Sequence, residues 1–306
     1  MTLFLRPLSL EFRTIFTDRK HLMRLINIVA LLLLSTLSSG ALATVFTFTA
    51  IPDEDESRLR TRFDKVAEYL ENKLGVEVKY IPVKSYSAAV TAFRNNQVQL
   101  AWFGGLSGVQ ARRLVPGSEA IAQGYEDQFF KSYFIAHHSV DIMPSDSFPN
   151  LNGYTFTYGS KGSTSGRLMP QFFIERNLGK KAEDVFTRIG FSGDHSRTIA
   201  QVQAGAYQVG AVNYKVWEMA LAKGIVDLDK VDVIWQSPVY PDYQWTVREG
   251  VDKTFGKDFK TKLTQALLDM KDPDLLASFP RTSFVAADNA DYQPIENIAK
   301  TIGLID

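Results

Sequence analysis

Cysteine is absent from the 306-residue chain. That excludes disulfides, thiolate metal sites, a cysteine nucleophile and a lipid-bearing N-terminal cysteine. Histidine is scarce: His21, His137, His138 and His195 leave little for a histidine-rich metal centre, and no metal or cofactor is expected. Charge of one sign is not in excess either. Lys+Arg and Asp+Glu both number 34, which argues against a nucleic-acid partner held by bulk positive charge. No apolar run reaches the ~20 residues that a membrane-spanning helix needs; Leu25–Leu34, LINIVALLLL, is broken by Asn27. Short-period repeats and low-complexity tracts are also missing.

What is present begins with an address. Arg19, Lys20 and Arg24 precede the apolar run, and small residues ending in Ala41-Leu42-Ala43 follow it. A basic segment, a short apolar core and an A-x-A site make a secretory signal peptide over residues 1–43, with Thr44 near the mature start. Met23 offers a second possible start, because the segment from it is already a complete signal. Removing 1–43 leaves 29 basic and 32 acidic residues, a net charge of −3. The expected product is exported to a periplasm, soluble and not lipidated.

From Thr44 onward, strand-like and helix-like segments alternate. Thr44–Ala50 alternates as a strand. Leu59, Phe63, Val66, Ala67, Leu70 and Leu74 recur at helical spacing up to Gly75. The same rhythm runs through Leu100–Phe103, Leu106–Val115, Tyr154–Gly159, Ser165–Leu178, Ser196–Ala204 and Val209–Asn213. This predicts an α/β fold with mainly parallel sheets. Two loop-rich zones, 139–153 and 237–243, bracket a block of domain size. The expected organisation is a first lobe of 44–138 plus 241–306 and an inserted second lobe of 139–240. Two crossings between lobes imply a cleft and a hinge.

The most informative stretch is Tyr158-Gly-Ser-Lys-Gly-Ser-Thr-Ser-Gly-Arg167, which leaves a strand and opens a helix. Such a junction is where α/β folds bind ligands, and a helix N-terminus favours an anion. Ser163, Thr164 and Ser165 add hydroxyls, while Gly162 and Gly166 permit close backbone approach. The order is not that of a P-loop, since Lys161 precedes Gly162. A capped helix after a flexible turn is the plain alternative. Weaker junctions occur at Ser192-Gly-Asp-His195, at Asn213, and at Ala101-Trp-Phe103-Gly104-Gly105, with Tyr86 opening another helix.

Taken in order, these segments resemble the phosphate/phosphite/phosphonate-type solute-binding proteins of bacterial ABC importers. Tyr86-Ser-Ala-Ala-Val resembles the family's Tyr-led helix, and Val98–Gly104 its "VDxAWYG" strand. Gly162–Gly166 with Leu168-Met-Pro resembles "STSG…P", Ser192–His195 resembles "SGxH", and Gly205–Asn213 its following strand. The resemblance implies a two-lobed periplasmic-binding-protein type II fold of Venus-flytrap form. It also implies ligand contacts at Tyr86, Phe103, Gly104, Ser163, Thr164, Ser165, Gly166, His195 and Asn213. Two positions depart from the pattern: Phe103 lacks a tyrosine hydroxyl, and Asn213 replaces an acid. An amide donates where a carboxylate only accepts, so Asn213 suggests a fully deprotonated tetrahedral anion. Trp102–Arg112 and Asn213–Trp217 are similar to the family's selenate-carrier branch.

The expected function is therefore capture of a small oxyanion for a membrane ABC permease, by a monomer that catalyses nothing. A hydrolase drawn from Ser163 or Ser165 with His195 is the alternative, but there is no G-x-S-x-G elbow. An anion-sensing ectodomain would share the fold but need an output module.

Overall fold

A computed structural model describes residues 44–54, 56–277 and 279–306. The signal-peptide expectation lies outside the described residues. Two sheets organise the chain. The first has the order β11-β4-β10-β3-β1-β2, with β1 Phe46–Ala50, β2 Val78–Tyr80, β3 Leu100–Phe103, β4 Glu119–Gly124, β10 Gln244–Val247 and β11 Phe284–Ala286. The second has the order β7-β6-β8-β5-β9, with β5 Ser132–His137, β6 Thr155–Tyr158, β7 Arg188–Phe191, β8 Val209–Asn213 and β9 Val231–Gln236. The helices are α1 Glu56–Leu74, α2 Tyr86–Arg94, α3 Gly105–Leu114, α4 Met169–Leu178, α5 Ala182–Val185, α6 His195–Gln203, α7 Tyr214–Ala222, α8 Val251–Phe255, α9 Phe259–Leu268, α10 Pro273–Leu276 and α11 Gln293–Thr301. Among the described residues no helix is long and apolar enough to cross a membrane.

The helices form where the apolar stripe demands a sheet to cover. In α1, Leu59, Phe63, Val66 and Leu70 are buried along one face, and Phe63 meets Phe48 of β1 edge-on at 6.1 Å. Ser85 starts α2 by accepting the Ala88 amide, and Asp194 starts α6 by accepting that of Arg197. The two-sheet α/β architecture agrees with the expected fold class.

Two expectations change. The sheets are mixed rather than mainly parallel. β1 pairs in parallel with β2 and β3, and β6 with β7 and β8, but β10 runs antiparallel to β3 and β4, and β5 to β8 and β9. The first lobe was also expected to extend to 138, yet β5 lies in the second sheet, hydrogen-bonded on both edges. The chain leaves the first sheet after Gly124 and crosses through a 3-10 turn, Tyr125–Phe129. The polar, proline-containing stretch 139–153 is a loop of the second lobe. Its Phe148 packs edge-on to Trp235 at 4.8 Å, and Leu151 is fully buried. Composition alone made it look like a linker; two apolar side chains anchor it.

The return crossing is 237–243, and Phe130 and Tyr240 form an antiparallel bridge between the two crossings. Arg281 clamps them from the C-terminal segment. Its Nε and an Nη donate to the two Asp127 oxygens at 2.9 and 2.7 Å, and its guanidinium lies 5.4 Å from the Phe130 ring and 5.3 Å from that of Tyr243. Both charged groups are buried.

Candidate functional site

The sequence places Ser163–Gly166 directly after β6, and the local backbone there is unusual. Residues Thr164–Leu168 make a π turn before α4, with the Leu168 amide reaching the Ser163 carbonyl at 3.0 Å. A single π turn widens the helix start, and such turns recur at functional sites. Ser163 caps the turn by accepting the Gly166 amide at 2.9 Å. The Thr164 and Ser165 amides are first-turn donors without an intrahelical acceptor. All four residues are buried.

His195, the first residue of α6, lies against this turn. A β-carbon on Gly166 would stand 3.0 Å from its Cε1, so glycine there is what lets the ring approach. The Asn213 amide donates to His195 Nδ1 at 3.2 Å. In the neutral ring the proton therefore resides on Nε2. Burial pushes the pKa of His195 down to about 3, so the ring stays neutral. Nε2 is buried and has no hydrogen-bond partner: it is an N–H donor with nothing to donate to.

Tyr86 and Asp242 complete the constellation. Gly162 packs on Tyr86, where an added β-carbon would sit 3.1 Å from the tyrosine Cβ. Burial, with the Asp53 and Asp242 charges, holds the Tyr86 hydroxyl well above its usual pKa of 10, and it too has no partner. Asp242 comes from the return crossing. Its Oδ1 accepts the Gly105 amide at 2.8 Å, while Oδ2 is buried and unpaired. Burial raises its pKa to about 7, against hydrogen bonds from Thr164 and Gly105. Thr164 Oγ1 in turn accepts the Leu106 amide at 3.0 Å. So Thr164 joins the second lobe to the start of α3, beside Gly104, whose added β-carbon would meet Asp242 Oδ1 at 3.1 Å.

The expected residues therefore converge on one turn between the lobes, with two qualifications. Phe103 turns its ring onto Phe93 at 5.5 Å, a core contact. Asn213 spends its side chain on the protein: Oδ1 caps α7 through the Lys215 and Val216 amides at 2.7 and 3.3 Å, and Nδ2 donates to the Tyr243 hydroxyl at 3.0 Å. Sequence reasoning missed Asp242, Tyr243 and Asp53. The only signal was their place at a crossing or after a strand end. Arg112 bonds Gln244 at 2.8 Å and lies over Tyr292.

At the outer edge of this cluster a crevice of about 480 Å³ opens between the lobes, lined by Pro52 and Lys84 on one side and Ser160, Asp194 and Arg197 on the other. No serine–histidine–acid triad is assembled here. Asp194 caps its own helix and pairs with Arg197 at 3.1 Å, while His195 Nδ1 faces a backbone amide. Among the described residues no group of three or more acidic, histidine or cysteine side chains is arranged to hold a metal ion.

The comparisons with known proteins bear on this geometry. Residues 48–292 match the family model described as "ABC transporter, phosphonate, periplasmic substrate-binding protein". The chain is 38% identical over 294 residues to the "Probable ABC transporter phosphite binding protein PhnD1" of Prochlorococcus marinus, covering 90% of this chain and 96% of that one. It is 28% identical over 233 residues to the phosphonates-binding periplasmic protein of Escherichia coli, covering 72% of this chain and 67% of that one. The crystal structure of Prochlorococcus marinus PhnD1 in complex with methylphosphonate superposes with a TM-score of 0.81, over 85% of this chain and 99% of that one. With a family match across most of its length and the two-sheet fold of its relatives, the chain belongs to the phosphonate ABC-transporter family of periplasmic substrate-binding proteins.

Proposed function

We propose that the protein carries a small phosphorus oxyanion, phosphite or a short alkylphosphonate, which it encloses between its lobes and delivers to a membrane permease. One observation carries the reading. His195 Nε2, Tyr86 Oη and Asp242 Oδ2 are buried without partners around a helix-opening turn. Buried polar groups are ordinarily paired, and leaving one unpaired costs about 1–3 kcal/mol. An oxyanion there accepts from His195, Tyr86 and the Thr164 and Ser165 amides. Gly104 and Gly166 leave it room.

Asp242 selects among anions. While ionised, Asp242 accepts the P–OH hydrogen that a phosphite or phosphonate monoanion brings, and selenate at neutral pH brings none. The selenate preference rested on a donor at Asn213 and on a likeness to a selenate-carrier branch; one of the two Nδ2 hydrogens of Asn213 goes to Tyr243. The names of the Prochlorococcus relative and its methylphosphonate complex support the same class. Asp194 is engaged as the cap of its own helix and His195 Nδ1 with a backbone amide, which favours a carrier over a serine–histidine hydrolase; a monomer without a cofactor is part of the same proposal.

Calorimetric titration of the mature protein with methylphosphonate, phosphite, phosphate, sulfate and selenate tests this. Tight binding of the first two is expected, with a stabilisation of about 2.7 kcal/mol at ligand 100-fold above Kd, and no turnover. Tight selenate binding with no response to either phosphorus ligand would overturn the substrate class.

A further inference from the structure

The side chain at 213 has partners that an anion does not explain. Asn213 Nδ2 donates to the Tyr243 hydroxyl at 3.0 Å, and that hydroxyl donates to Asp53 Oδ2 at 2.8 Å. The Asp53 carbonyl accepts the His195 amide at 3.2 Å, and the Asn213 amide donates to His195 Nδ1, also at 3.2 Å. These four residues close a ring of hydrogen bonds. It runs from the first lobe (Asp53, just after β1) through the return crossing (Tyr243) into the second lobe (Asn213 at the end of β8, His195 at the start of α6).

We propose that Asn213, Tyr243 and Asp53 form a latch that holds the two lobes closed, and that the amide at 213 serves this latch instead of touching the anion. The proposal rests on the carrier reading above. Its direction follows from hydrogen counting. A tyrosine hydroxyl has one hydrogen, and Tyr243 gives it to Asp53. Residue 213 must then be the donor. An acid there would leave two carboxylates competing for one hydrogen inside a buried site, and buried like charges oppose one another. Asn213 Oδ1 is also occupied, as the cap of α7. Burial keeps Tyr243 well above its usual pKa, so its hydroxyl remains a donor. The ring of Tyr243 is meanwhile fixed by stacking on Trp102 at 5.5 Å, which leaves hydrogen bonding as the job of its hydroxyl.

A latch of this kind raises the population of the closed form, and apparent affinity scales with the fraction already competent. Tyr243→Phe removes both bonds and keeps the stacked ring. Stopped-flow and calorimetry with methylphosphonate and phosphite should show dissociation faster by about tenfold with association little changed, the pattern usual for interactions made after encounter. X-ray scattering of the ligand-free protein should show a larger radius of gyration than wild type. Asp53→Asn, which still accepts from Tyr243, should stay near wild type, while Asp53→Ala should match Tyr243→Phe. In a double-mutant cycle, Asn213→Ser, which keeps a cap for α7 but loses the Nδ2 donor, should weaken binding about tenfold in wild type and less than twofold in the Tyr243→Phe background. An equal cost in both backgrounds means Asn213 touches the ligand and overturns the proposal. Unchanged dissociation together with unchanged ligand-free scattering in Tyr243→Phe also overturns it. Wild type that binds neither ligand would refute the carrier reading for them, and the ligand-free scattering comparison would still judge the latch.

Discussion

Asp242 carries a pH signature that can be read with or without ligand. Burial places its folded pKa at about 7, against ~3.9 for an unfolded aspartate. Between those values the folded state holds the extra proton. The stability it confers is present below the unfolded pKa and lost as pH rises through about 7. Asp53, raised to about 6 by burial and by Glu54, adds a loss of the same sign. His195 acts oppositely: its pKa falls to about 3, so its contribution is lost as pH drops from the unfolded value toward 3. Thermal melts of ligand-free Asp242→Asn should gain on wild type progressively from pH 5 to pH 8. A difference curve flat with pH would refute this. The same variant should bind methylphosphonate more weakly by about 1.5–3 kcal/mol, the worth of a charged hydrogen bond, measured by calorimetry. His195→Ala should also weaken binding, with no inflection between pH 5 and 8 assignable to His195 in wild type. Ser163, Thr164 and Ser165 were legible because they belong to a contiguous strand–turn–helix signature, whereas His195, at a separate junction, was singled out by the family resemblance. Asp242 was not, because a lone aspartate in a proline-containing crossing looks like a turn residue until its neighbours are known.

At the scale of the element, the π turn at Thr164–Leu168 sets the site's tolerance to change. A β-carbon on Gly166 would lie 3.0 Å from His195 Cε1, 3.1 Å from Ser163 Oγ and 3.2 Å from Gly159 Cα. Gly166→Ala should therefore displace the ring and weaken methylphosphonate binding at least tenfold, about 1.4 kcal/mol, with the circular dichroism spectrum unchanged. Retention of wild-type affinity would mean that His195 does not depend on this approach. Ser163→Ala removes the cap of the turn and should cost about 1 kcal/mol of stability in urea denaturation. Most helices were legible from apolar spacing, α1 above all. The mixed strand directions were not. A short, mostly buried strand such as β5 can bury its side chains whichever way its neighbour runs, so its pairing with β8 and β9 had to come from the tertiary arrangement.

Across the whole molecule, the two crossings are held by the Asp127–Arg281 pair, both buried. Breaking a buried pair by removing one partner costs about 3–5 kcal/mol, whereas replacing both is far milder. Arg281→Met should lower the urea midpoint sharply, and adding Asp127→Asn should recover part of the loss. Equal midpoints for Arg281→Met and wild type would show that the clamp contributes no stability. Because Arg281 also stacks over Tyr243, the single variant should weaken ligand binding as well as folding.

The sequence by itself determined the alternating α/β elements and the donor-rich turn at Ser163–Gly166, because these are local patterns in which neighbours along the chain act together, and it was the family resemblance that pointed to His195. Only the tertiary structure decided where the chain crosses between lobes, that His195 lies against that turn, which carboxylate is buried beside it and which groups the Asn213 side chain bonds. Those outcomes depend on groups far apart in sequence, such as Asp53 and Tyr243, whose burial and competition for single hydrogens exist only once the lobes are packed together.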